Sequence, residues 1–224
     1  SNVLFENLGN MVFDNITISS GLNLNNNSNF GSSWGDYDKD GLLDVFICSR
    51  GDFSDDIQNY LYHNNGDGTF TIVNDLVGID NNNNFSFCSV FFDYNNDGKK
   101  DLFAFLINGG EDGINGTDEN PTGKLMFYEN YLSESSEPQY FDSEIVWGGW
   151  LDVNDFNGDG IFDILVTGNN AHEISKVDGN LFENIPFEIF YFDTDGFSER
   201  KVIDMDIASS DGPMSGDIDK DGDI

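Results

Sequence analysis

One nine-residue pattern, D-x-[DN]-x-[DN]-G-x-x-D, recurs along this chain and constrains its fold more than any other feature. It stands in full as DYDKDGLLD at 36–44, DYNNDGKKD at 93–101 and DFNGDGIFD at 155–163, and begins again as DIDKDGDI at 217–224. The starts lie 57, 62 and 62 residues apart. A near-constant period of this size marks an array of similar units. Carboxylates packed this closely should repel: a pair about 4 Å apart costs on the order of 4 kcal/mol at an effective dielectric near 20. The pattern therefore asks for positive charge. The chain supplies little, with nine Lys and Arg against 42 Asp and Glu and a net charge of −33.

Each acidic cluster follows a short apolar stretch (FGSSW, FCSVFF, WGGWLDV), and each complete one runs into another (DVFIC, DLFAFL, DILVTG). NYLYHNNGDGTFTIV reads as two strands joined by an Asn/Gly turn, a strong short-range hairpin signal. KLMFYENYLS with PQYFDSEIV, and FEIFYFDTDGFSERKVIDM, occupy the same place in the later repeats. Each repeat thus reads as four antiparallel strands, A to D, with the acidic loop between A and B. Helical periodicity is nearly absent. Four strands per unit at this period predict an all-β chain, a β-propeller, whole or partial, of four-stranded antiparallel blades.

The predicted blades span 29–77, 86–146 and 147–206, with a further one starting at 211–224. NVLFENLGNMVFDNITISSGL parallels the NYLYHNN stretch, so 2–20 reads as strands C and D of a shared or preceding blade. Residues 1–224 form one propeller domain under either of two arrangements. The chain is a window on a longer ring, favoured by the stop within the fourth loop, or its two ends complete one blade of a ring of four.

A hydrophobic content of 38%, including 21 Phe, is enough to bury a core, which excludes a disordered acidic tail. So anionic a surface disfavours nucleic acid and anionic membranes as partners. No apolar run approaches the ~20 residues of a membrane span.

The loop spacing has a mechanical reason. Positions 1, 3 and 5 turn their oxygens toward one point, and Gly at position 6 takes a positive φ that other residues resist. A carbonyl at position 7 and a carboxylate at position 9 complete an oxygen shell of the size Ca²⁺ takes. Mg²⁺ fits less well, because it demands an octahedron and keeps its waters. The first loop offers four aspartates, Asp36, Asp38, Asp40 and Asp44; the next two replace one with Asn95 and Asn157. An EF-hand is excluded, since it needs Glu at position 12 and flanking helices.

WGDYDKDGLLDVFI, FFDYNNDGKKDLFAFL and VNDFNGDGIFDILVTG resemble the FG-GAP/VCBS repeats of integrin α-chain-like β-propellers, and LYHNNGDGTFT resembles the strand C–D signature of bacterial members. The resemblance implies Ca²⁺ in the A–B loops. It assigns Asp36, Asp38, Asp40, the Leu42 carbonyl and Asp44 to the first site. The second takes Asp93, Asn95, Asp97, the Lys99 carbonyl and Asp101, and the third Asp155, Asn157, Asp159, the Ile161 carbonyl and Asp163. A fourth has Asp217, Asp219, Asp221 and the Asp223 carbonyl, without a last ligand. Of the family's FG wording, Phe30-Gly31 matches and the later repeats do not.

The long polar B–C loops, SRGDFSDDIQ among them, lie on the propeller face opposite the A–B loops, where ligands of the resembled family approach. One contains Arg50-Gly51-Asp52, an adhesion tripeptide or a chance match. The expected function is a calcium-stabilised extracellular or cell-surface module that binds a protein or carbohydrate ligand, with oligomeric state open. A polysaccharide lyase on the same scaffold and a structural spacer are the alternatives. Catalysis has little support: His63 falls in a strand pattern as a packed or edge residue, His172 lies beside Glu173, and no nucleophile elbow is present. Trp34, Trp147 and Trp150 read as packing between blades, or as a sugar-stacking platform. Cys48 and Cys88 read as two buried thiols, or as a bridge between blades. Sequons at Asn15, Asn26, Asn84 and Asn115 are what an Asn-rich chain generates by chance.

Overall fold

The computed structural model describes residues 3–22, 29–49, 59–77, 79, 84–108, 122–129, 138–145, 147–169, 185–205 and 215–217. A two-stranded ribbon comes first, β1 (Phe5–Gly9) and β2 (Val12–Asn15). Three four-stranded antiparallel sheets follow, each a meander in chain order. The first holds β3 (Asn29–Gly35), β4 (Asp44–Ser49), β5 (Tyr60–Asn64) and β6 (Phe70–Ile72). The second holds β7 (Asn84–Phe92), β8 (Asp101–Asn108), β9 (Thr122–Tyr128) and β10 (Gln139–Ser143). The third holds β11 (Trp147–Asn154), β12 (Asp163–Asn169), β13 (Ile185–Asp193) and β14 (Gly196–Met205). The one helical element among the described residues is a 3-10 turn, Asn74–Leu76. The chain is all-β, and each large sheet has the form expected of a blade.

Alternation along the central strands explains how the sheets stack. In β8, Leu102, Ala104 and Leu106 cluster with Phe46, Cys48 and Leu61 of the first sheet, while Phe103, Phe105 and Ile107 cluster with Ile164, Val166 and Phe190 of the third. The middle sheet is buried on both faces, so its central strand is apolar throughout, which is why LFAFLI shows no polar alternation. Phe103 stacks on Phe127 with centroids 4.6 Å apart and on Phe92 at 5.0 Å, with Phe192 edge-on at 5.3 Å. Aromatic pairs of this kind add stability beyond the area they bury.

The first strands stand side by side, β3 next to β7 and β7 next to β11. Their approach is close: a Cβ on Gly35 would lie 2.5 Å from the Phe91 ring, and one on Gly149, which has φ +84°, would lie 2.0 Å from Phe105. Beyond β11, the backbone N–H and hydroxyl of Ser215 each donate to Asp152 Oδ2 at 2.6 Å. Polar ties join the sheets as well. Ser33 and Ser89 hydroxyls meet at 2.8 Å. The buried Glu188 of β13 accepts from the Ser143 hydroxyl, the Glu144 N–H and Arg200, tying β10 to the third sheet.

The ribbon packs on the open face of the first sheet, where Leu22 and Leu4 meet Val45, Ile47 and Tyr62. Its strands remain exposed, with Phe5 56% and Phe13 57% accessible. The tryptophans divide. Trp150 lies against Phe87 across the β7–β11 junction, as packing between sheets requires. Trp34 does not fit that reading: it is 43% exposed and lines a cavity of about 160 Å³ beside Leu4, Leu22 and Phe30. It sits on the face of the first sheet that only the narrow ribbon covers. The side chain of Trp147 lies outside the described residues. Cys48 and Cys88 are free thiols, the first fully buried and the second partly so.

Candidate metal centre

All three complete acidic patterns form the turn between the first and second strands of a large sheet. Glycine at position 6 is left-handed in each, with φ +88° at Gly41, +81° at Gly98 and +89° at Gly160. Position 4 is left-handed too, as Lys39, Asn96 and Gly158. Asn and Gly are the residues that tolerate this conformation, so two of the three loops advertise it.

The hydrogen bonds repeat from loop to loop. The position 1 carboxylate accepts the position 6 N–H: Gly41 to Asp36 at 3.0 Å, Gly98 to Asp93 at 2.8 Å and Gly160 to Asp155 at 2.8 Å. The position 3 oxygen accepts the position 5 N–H: Asp40 to Asp38, Asp97 to Asn95 and Asp159 to Asn157. The position 5 carboxylate accepts the N–H of Leu42, Lys99 or Ile161 at 2.7–2.9 Å. The position 9 carboxylate accepts the position 2 N–H, from Tyr37, Tyr94 and Phe156. In the first and third loops its other oxygen takes an N–H of the third strand, from Asn64 and Phe192. Backbone amides thus aim the side-chain oxygens, and in the first loop one oxygen each of Asp38 and Asp40 takes no part in that scaffold.

Electrostatics leave these loops short of positive charge. Asp44 and Asp163 are fully buried and Asp101 is 1% exposed. Burial pushes the Asp163 carboxyl up to about 6, against the pull of the Phe192 and Phe156 N–H groups and with help from Asp159 and Asp155. Asp44 is raised for the same reason, with Asp38 adding to the effect. A bound cation would reverse both shifts. Carboxylate oxygens of Asp36, Asp38 and Asp40 lie within 4.8 Å of one another. Asp36 Oδ1 is buried without a hydrogen-bond partner, whereas its equivalents in the later loops accept the N–H of Asp97 and Asp159. An orphaned carboxylate oxygen facing other carboxylates fits a hard divalent cation.

The same hydrogen bonds close all three loops, with Leu42, Lys99 and Ile161 at the turn, and in the first loop the carboxylates of Asp36, Asp38 and Asp40 come together. Of the fourth loop only Asp217 is described; Asp219, Asp221 and Asp223, like Arg50, Gly51 and Asp52, lie outside the described residues. The sequence reading passed over His63, taken as a packed or edge residue. It sits on β5 with Nδ1 3.2 Å from Asp38 Oδ2 and 3.4 Å from Asp44 Oδ1. Strand pairing could have found it, because Val45 faces Tyr62 and extending that register by one residue sets Asp44 opposite His63.

Sheets and loops together define an all-β repeat chain with an acidic turn in each large unit. Residues 36–104, from the first loop through the second and into β8, match the family model described as an FG-GAP-like repeat. The chain carries an FG-GAP-like repeat over that stretch. A search of the curated proteins finds no match to the chain. Among the described residues no helix is long and apolar enough to cross a membrane.

Proposed function

We propose that this chain is a calcium-stabilised extracellular β-propeller module that binds a protein or carbohydrate ligand. The observation that carries the reading is the same hydrogen-bonded acidic turn at the same place in three sheets. Asp36, Asp38, Asp40 and Asp44 would hold one Ca²⁺. Asp93, Asn95, Asp97 and Asp101 would hold a second, and Asp155, Asn157, Asp159 and Asp163 a third, with the Leu42, Lys99 and Ile161 carbonyls completing the shells. The cation's work is structural. It neutralises buried carboxylates and links the first strand of each blade to the second. Millimolar calcium outside cells keeps even weak loops filled, and FG-GAP-like repeats are typical of extracellular proteins. A ligand would then meet a rigid scaffold rather than the loops that hold the metal.

A glycan array probed in millimolar calcium and again in excess chelator tests this function. Capture in calcium that is lost in chelator is the expected result for a carbohydrate ligand. Capture indifferent to chelator would contradict the calcium dependence, and release of unsaturated sugars would replace the binding module with a lyase.

A further inference from the structure

We propose that the first acidic loop is a mixed oxygen–nitrogen site, in which His63 joins Asp38 and Asp44 and lets the loop take a divalent transition-metal ion as well as calcium. The inference rests on reading the loops as cation sites and adds a ligand from outside the nine-residue pattern.

Three observations converge on His63. Its Nδ1 is buried from water and has no hydrogen-bond partner, although carboxylate oxygens of Asp38 and Asp44 lie at 3.2 and 3.4 Å. The distances are those of an ion pair, but the alignment is not that of a hydrogen bond. An ion between the three groups gives the Nδ1 atom a partner. Second, the ligand atoms of Asp38, Asp44 and His63 lie within 4.8 Å of one another, and Asp38 also belongs to the Asp36–Asp38–Asp40 group. Asp38 thus stands between the two groups. Third, the ring is held in place: it lies edge-on to Tyr37 at 6.0 Å and 83°, on a strand paired with β4.

The other two loops lack this nitrogen. Tyr62, Tyr128 and Phe190 occupy one register position opposite the second strands, and the residues after them are His63, Glu129 and Tyr191. Glu129 accepts from the Tyr94 hydroxyl at 3.0 Å, and Tyr191 lies under the Lys201 ammonium. Carboxylates alone suit Ca²⁺, Mg²⁺ and Mn²⁺, whereas imidazole suits zinc, copper, iron and nickel. Two carboxylates with one imidazole select ions that accept both donors, the manganese-to-zinc class. The first loop is thus chemically distinct from its two sisters.

Mn²⁺ is the probe, added to the full chain and read by pulsed electron paramagnetic resonance. One Mn²⁺ per chain should show the nitrogen hyperfine coupling of a bound imidazole. His63→Gln should abolish it, and His172→Gln, altering the one other histidine, should keep it. Calorimetry should show Mn²⁺ affinity falling at least about tenfold in His63→Gln, since even groups that only support metal ligands are worth about 10–100-fold; calcium affinity should change less. If His63→Gln does not fold, isotope-labelled histidine in the wild type and in His172→Gln gives the same answer. Mn²⁺ bound without nitrogen coupling, or coupling that survives in folded His63→Gln, would overturn the inference and leave the loops as cation sites. Retention of neither Mn²⁺ nor Ca²⁺ would overturn the proposed function as well.

Discussion

Asp40→Asn should shift stability in opposite directions with and without calcium. Asn keeps the oxygen that accepts the Leu42 N–H, so the turn survives. In chelator the substitution removes a charge lying within 4.8 Å of Asp36 and Asp38 oxygens. Each such pair costs about 1 kcal/mol in a water-like dielectric and about 3–4 kcal/mol at an effective value of 20, and at this exposed position the lower figure applies. For a chain of this size 1 kcal/mol moves the melting temperature by about 2–4 °C, so the metal-free variant should melt a few degrees above the wild type. In calcium the sign reverses. A site at a hundredfold its Kd contributes about 2.7 kcal/mol, and its loss, offset by the ~1 kcal/mol of relieved repulsion, lowers the melting temperature by at most about 3–7 °C. Calorimetric melts of both proteins, in excess chelator and in saturating calcium, read the crossing. A shift of the same sign in both conditions would refute the cation argument, because repulsion and ligation would then not share these carboxylates.

Other expectations follow from the packing and from buried groups. Phe103→Ala, which empties the centre of the aromatic stack, should cost about 3–5 kcal/mol in a urea melt; a cost below about 1 kcal/mol would contradict the stacking of the two sheets on β8. Burial holds the Glu188 carboxyl above its usual range of 4.5, against Ser143, the Glu144 N–H and Arg200 and aided by the Glu144 charge. The folded state therefore holds this proton more tightly than the unfolded one, so the contribution is present below about pH 4.5 and is lost as pH rises through the folded value. Urea midpoints should show the stability of wild type relative to Glu188→Gln falling as pH rises above that point; a rising difference would be the wrong sign. Burial pushes the Cys48 thiol up to about 12, so alkylation of the native protein followed by mass spectrometry should find Cys88 modified first.

The repeat was legible because its two signals have different physics and agree. Acid–glycine spacing marks the turns, and period-two or continuous apolar runs mark the strands between them. The hairpin in NYLYHNNGDGTFTIV was readable because Gly66 and Gly68 take the positive φ that the turn needs, 76° and 86°. Trp34 was not legible, since exposure depends on what covers β3, and the ribbon over that sheet has two strands against four elsewhere. His63 was missed because its partners lie 19 and 25 residues earlier in the chain, joined to it by strand register rather than by local spacing. The left-handed position 4 was half visible, through Asn96 and Gly158 but not through Lys39.

Equilibrium dialysis against calcium is the most direct measurement, because it counts ions rather than inferring them. Three acidic turns of shared geometry predict at least three Ca²⁺ retained per chain, with one lost in a variant that replaces both Asp155 and Asp159 by Ala. Retention of none, or a count unchanged by that substitution, would show that carboxylate repulsion in these turns is met by something other than a bound cation.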